Sequence, residues 1–181
     1  MKHLLLGSAV LLLAACGDGK KEAAEKLAAM AHENATAPAA NEYLLDLSPF
    51  DKPLSVTMPE MSGPDADSTF GGARWNEDTG QLIVQAGARF AITISEEPGD
   101  IGRLKAALER DMLRKHTILE EAPDLVVYRQ EYPDDALVFV HFYRVIEHEG
   151  RQFVVESAPQ GRFTEADVHR MRSAVRANLP A

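Results

Sequence analysis

Two places in this chain hold side chains whose chemistry stands out. The first is Cys16, the only cysteine among 181 residues, which therefore has no partner for an intramolecular disulfide. The second is His141, set in the most apolar stretch of the chain, between Val140 and Phe142 and on the same strand face as Phe139 and Tyr143. Burying an imidazole without a partner costs about 1–3 kcal/mol, so His141 must be hydrogen-bonded. Either a backbone carbonyl or a neighbouring side chain satisfies it inside the core, or it opens with Phe139 and Tyr143 onto a ligand, titrating near neutral pH. A lone histidine lacks the second group that acid–base catalysis needs, which favours the core role.

Other constellations fail on spacing. Asp65-Ala66-Asp67-Ser68-Thr69 begins like a calcium loop, but Phe70 stands where glycine is required and Asn76 where a bidentate glutamate is required. Gly71-Gly72 has neither the lysine nor the strand-to-helix setting of a phosphate loop. No serine sits in a Gly-x-Ser-x-Gly elbow, and the histidines form no His-Glu-x-x-His pair. His141 and His148 are seven apart, which puts them on opposite faces of one strand. Arg162, Arg170, Arg172 and Arg176 lack the interleaved aromatics of a nucleic-acid site, and the chain is acidic, with 28 Asp and Glu against 19 Lys and Arg. A net charge of −9 repels both phosphate backbones and anionic lipid heads, so no nucleic-acid partner is expected. No metal site, cofactor or catalytic set is expected.

The N-terminus explains the solitary thiol. Met1-Lys2-His3 is a short basic head, followed by an uncharged run of 12 residues from Leu4 to Ala15. A spanning helix needs roughly 20 apolar residues to cross about 30 Å of hydrocarbon; this run has instead the length of a signal-peptide core and ends in small residues. Leu13-Ala14-Ala15-Cys16 resembles the lipobox of bacterial lipoproteins. The resemblance implies a signal peptide over 1–15, a diacylglyceryl group on the Cys16 sulfur and cleavage before Cys16, often with acylation, such as palmitate, on the new amine. Two or more acyl chains anchor stably where one holds reversibly. Gly17, rather than Asp, follows the cysteine. By the enteric sorting rule this implies the outer membrane, facing the periplasm, or the inner or cytoplasmic membrane where that rule does not apply.

Residues 16–42 form the lipidated cysteine and an Ala-rich tether. Lys20 to Asn34 carries a thin helical stripe, and Ala35-Thr36-Ala37-Pro38-Ala39-Ala40 breaks it. As a coil the tether spans about 28 Å root-mean-square.

A single α+β domain is expected over 43–181. Strands are predicted at Leu54–Met58, Thr69–Asn76, Gln81–Gln85 and Arg89–Ser95, where Phe90, Ile92 and Ile94 share a face. A helix is expected over Asp100–His116, capped by Asp100, burying Ile101, Leu104, Leu108 and Met112 and ending in Arg114-Lys115-His116 at its negative pole. A three-strand meander follows at Leu125–Tyr132, Ala136–Glu147 and Gln152–Ser157. The last helix, Thr164–Asn178, opens with a Thr164/Asp167 capping box and a Phe163–Val168 staple, and its stripe is Val168, Met171, Val175 and Leu179. In the middle meander strand Leu137, Phe139, Tyr143 and Val145 point one way, and Val138, Val140, Phe142 and Ile146 the other. A strand apolar on both sides must be covered on both sides, which predicts an antiparallel sheet in a layered sandwich with two main helices. This order of elements resembles the PsbP/Mog-like α/β sandwich. That likeness implies a binding or assembly accessory, not an enzyme, with another envelope protein or a wall component as partner. An envelope hydrolase with a spatially assembled site and a carrier of an apolar ligand are the alternatives.

Overall fold

The computed structural model describes residues 42–60, 71–133 and 137–178, all within one unit, Asn41–Ala181. The lipobox, the expected tether helix, the acidic loop at Asp65–Thr69 and Leu179 lie outside the described residues. In chain order the elements are β1 Glu42–Asp46, a single 3-10 turn Ser48–Phe50, β2 Leu54–Pro59, β3 Gly71–Asn76, β4 Gln81–Ala86, β5 Ala91–Glu96 and α1 Ile101–Arg110. Then come β6 Lys115–Ala122, β7 Leu125–Glu131, β8 Val138–His148, β9 Arg151–Ser157, α2 Glu165–Ala174 and β10 Val175–Ala177. Seven strands form one sheet in the order β3-β4-β5-β9-β8-β7-β6, and β1-β2-β10 form a second. Every strand pair in both is antiparallel. Among the described residues the architecture is α+β with two helices, as the patterning predicts.

The core lies between the two sheets. Leu54, Val56 and Met58 alternate inward from β2, and Leu82, Val84, Ile92, Ile94, Phe153 and Val155 meet them from the large sheet, all with 0% exposure. α2 closes this layer with Val168 and Met171. Its start is fixed reciprocally: Thr164 N–H and Oγ1 both donate to Asp167 Oδ2 (2.9 and 2.7 Å), and Asp167 N–H donates back to Thr164 Oγ1 (3.3 Å). Its end is tied to the sheet by Arg144, whose Nη1 donates to the carbonyls of Arg172 and Val175. Glu149 and Gly150, both at positive φ, turn β8 into β9, the geometry that matches strand twist in a two-residue hairpin.

Strand β8 behaves as its alternation predicts. Val140, Phe142 and Ile146 are buried on the core side, while Phe139, Tyr143 and Val145 are half-buried on the other. Its first residue, Val138, is half exposed, at 50%, and Glu147 near its end is exposed too. α1 lies over this second face: Tyr143 Oη accepts from Asp100 N–H (3.1 Å), and Gly99 is packed so tightly on Val145 that no Cβ fits between them.

Three expectations need correction. The helix expected to reach His116 stops at Arg110, and Met112 and Leu113 are 96% and 80% exposed. The Asp111 side chain ends it by accepting from Leu113 N–H (2.9 Å), Arg114 Nε (2.7 Å) and the His116 ring (2.9 Å). Such local bonds compete with the helix, and the following Thr117-Ile118 pair favours extended backbone. No residue of α1 is fully buried. Secondly, the meander has four strands rather than three, since β6 pairs with β7. Thirdly, α2 ends at Ala174, and Val175 turns extended to pair with Val56 while staying in the core. β1 was not anticipated in the sequence, because its Tyr43 and Leu44 are exposed at the edge of the small sheet.

Candidate functional site: the groove beneath the first helix

Strand alternation sends one set of side chains from the large sheet toward α1. Register places Thr93, Glu156, Tyr143 and Val126 in one row across β5, β9, β8 and β7. His141, Tyr128 and Ile118 form the next, and Phe139, Gln130 and His116 a third. This face therefore mixes aromatic rings with titratable groups, in contrast to the hydrophobic core on the other side.

His141 sits at the floor, 3% exposed. Its Nδ1 lies 3.0 Å from Ser157 Oγ, which also accepts from Phe142 N–H at 3.3 Å. The Tyr128 ring stacks on His141 at 5.7 Å and meets His116 edge-on at 5.7 Å. Burial first, then the charges of Arg114 and His116, push the His141 pKa down to about 4, so the ring is neutral at pH 7. Burial, with a contribution from Glu156, pushes the Tyr128 hydroxyl up to about 12. Burial also raises the Glu156 carboxyl, and Glu97 adds to the rise.

Where α1 gives way to β6 the groove holds a cluster of paired charges. His116 Nε2 lies 2.9 Å from Asp111 Oδ2, and its side chain is 5% exposed. Its hydrogen bond to His116, reinforced by Leu113 N–H and Arg114, holds the Asp111 carboxyl far below its ordinary value. Arg114 Nη1 reaches Gln130 Oε1 at 3.4 Å, and Gln130 Nε2 donates to Tyr132 Oη at 2.7 Å.

Three clefts lie along this face, two of them walled by α1. One of about 320 Å³ lies between Pro98, Leu104, Ala107 and Tyr143. Another of about 230 Å³ is walled by Leu108, Asp111, Arg114, His116, Tyr128 and His141. A third of about 460 Å³ adjoins it through Arg114 and Pro159 and reaches Tyr132, Phe139 and Arg162.

The structure thus sets Phe139, His141 and Tyr143 on one face, as their alternation predicts, but at three different clefts. His141 is the hydrogen-bonded, buried histidine expected of a core position, and its ring also lines a cleft wall. Cys16 lies outside the described residues. Sequence reasoning missed Asp111, Arg114 and His116, having placed them at a helix end; the β-branched Thr117-Ile118 pair was the signal that the helix had stopped. It also passed over Tyr128 and Gln130, although Val126, Tyr128 and Gln130 alternate with Val127 and Arg129. Ser157, though bonded to a histidine, is 4% exposed and closed off from any substrate. Among the described residues no group of three or more His, Cys, Asp or Glu side chains is arranged to hold a metal, and no helix is long and apolar enough to cross a membrane.

No protein family, curated protein or solved structure matches this chain.

Proposed function

We propose that this chain is an envelope lipoprotein, anchored through lipid on Cys16 to the periplasmic face of the outer membrane, whose folded domain is a non-catalytic binding module. The α1-covered face of the large sheet is its binding surface. One observation carries the reading: the face of the large sheet toward α1 is rich in aromatic and charged groups and bears clefts of about 230 and 320 Å³ walled by α1 and an adjoining one of about 460 Å³, while the opposite face packs into the hydrophobic core. Binding sites combine a concave apolar wall with a few placed polar groups, and this face has both. The lipobox-like Leu13-Ala14-Ala15-Cys16 supports the anchor. The order of strands, helix, strands, helix supports a PsbP-like likeness and an accessory role, although fold alone does not fix function.

The charged and aromatic linings favour a polar occupant over the apolar cargo of a carrier. One contact favours a second reading as a hydrolase, the Asp111–His116 pair at 2.9 Å. That pair would have to activate water, since the nearby Ser157 is enclosed.

Photo-crosslinkers placed in living cells at Leu104 and Ala107, on the groove, and at Arg170, on exposed α2, test the binding face. Discrete adducts from the two groove positions and none from Arg170 are expected. Adducts from Arg170 alone would move the binding surface elsewhere.

A further inference from the structure

Although the chain is acidic, two arginine side chains border the far end of the groove, one of them, Arg114, paired with Asp111 at 2.7 Å. Arg114 borders both adjoining clefts, and Arg162 borders the larger one. Tyr132 and Phe139 form the apolar wall between them, edge-on at 6.1 Å. The Arg162 guanidinium lies 5.9 Å from the Phe139 ring centre and makes no ion pair among the described residues. The charge of Arg114 reaches far enough inward to oppose protonation of His141.

His116 adds a requirement of its own. Asp111 takes Arg114 Nε at 2.7 Å and Leu113 N–H at 2.9 Å, so it is an ionised carboxylate that can only accept. His116 Nε2, 2.9 Å away, must therefore carry the ring proton. In the neutral ring this leaves Nδ1 as a bare lone pair, which is buried and has no partner among the described residues. Buried acceptors are nearly always paired, and Gln130 cannot turn to serve it, because both ends of its amide are engaged by Arg114 and Tyr132.

We propose that this double cleft binds a small organic acid: its oxyanion between Arg114 and Arg162, its apolar body against Phe139 and Tyr132, and a neighbouring O–H or N–H donating to His116 Nδ1. The proposal rests on reading the α1 face as the binding surface and names its ligand class. Carboxylate and phosphate share the required chemistry.

Calorimetric titration of the full chain in detergent at low salt tests it, with mandelate, its neutral amide and inorganic phosphate as probes. Mandelate carries a ring, a carboxylate and an adjacent hydroxyl. It is expected to bind with Kd of about 1 mM, and the amide about tenfold more weakly or not at all. Arg162→Gln is expected to weaken mandelate about tenfold with no change in melting temperature, because the side chain is exposed. Phosphate that competes with mandelate assigns a phosphate ligand; phosphate that is inert assigns a carboxylate. Silence from both anions, equal binding of the amide, or mandelate binding undiminished by Arg162→Gln overturns the proposal. If the anions fail while crosslinks from Leu104 and Ala107 persist, the ligand class is wrong and the binding face stands. If those crosslinks are also lost, the face itself is wrong.

Discussion

Replacing His141 with Gln should change not only how stable the domain is but how its stability depends on pH. The imidazole is 3% exposed, bonded through Nδ1 to Ser157 at 3.0 Å and stacked on Tyr128. Gln keeps a hydrogen-bonding group of similar reach but loses the stacking, so at pH 7 the variant should be less stable by about 1–2 kcal/mol. The ring's pKa falls from 6.5 to about 4 on folding. Between those values the unfolded chain binds a proton that the folded chain refuses. Stability from the neutral ring is therefore complete above pH 6.5 and is lost as pH falls toward 4. Each factor of ten in acidity corresponds to about 1.4 kcal/mol, so the loss totals about 3 kcal/mol. The variant lacks this term. Urea unfolding of both proteins at several pH values from 7.5 to about 4 isolates it, because every other titrating group is common to the two. The wild-type advantage should shrink on acidification, vanish between about pH 5 and 6, and be reversed at pH 4. Parallel curves across that range would show that His141 does not fold as a buried neutral ring, and would refute the placement of β8.

Two further perturbations probe what holds the groove's scaffold together. Glu96 receives Arg151 at 2.8 and 2.6 Å and Lys52 at 2.8 Å, and Lys52 is 6% exposed. Those bonds, Arg151's first, hold the Glu96 pKa down to about 2. Its contribution is thus present above pH 4.5 and lost as pH falls through 2. Glu96→Gln should lower the melting temperature at pH 7 and flatten the acid limb of the melting curve below pH 4.5, both measurable by calorimetry. Thr164→Ala removes half of the capping box and should cost about 1 kcal/mol in chemical denaturation, with ligand-probe titrations unchanged.

How much of this was legible depended on whether neighbours in sequence were also neighbours in space. The two-sided pattern of β8 and the Thr164/Asp167 box are local signals, and both features fold as those signals say. The end of α1 was misread because Leu104, Leu108 and Met112 keep helical spacing beyond the point where Asp111 captures the backbone. Period alone cannot register that competition. Val175 follows Met171 at helical spacing yet turns extended, since its valine side chain reaches the same core from a strand paired with Val56. The groove was only half visible. Alternation put Phe139, His141 and Tyr143 on one face, but Arg114 and His116 join them only because β6 pairs with β7, a long-range event that no spacing rule encodes. Arg162 arrives from the loop before α2 and carries no local mark of its role.

The proposed membrane anchoring rests on Cys16. Mass spectrometry of the chain recovered from the membrane fraction tests this most directly. The account predicts a mature N-terminus at Cys16, its sulfur carrying a diacylglyceryl group, and release of the protein to the soluble fraction when Cys16 is changed to Ser. An unmodified Cys16, or a wild-type mature form found free in the soluble fraction, would contradict it.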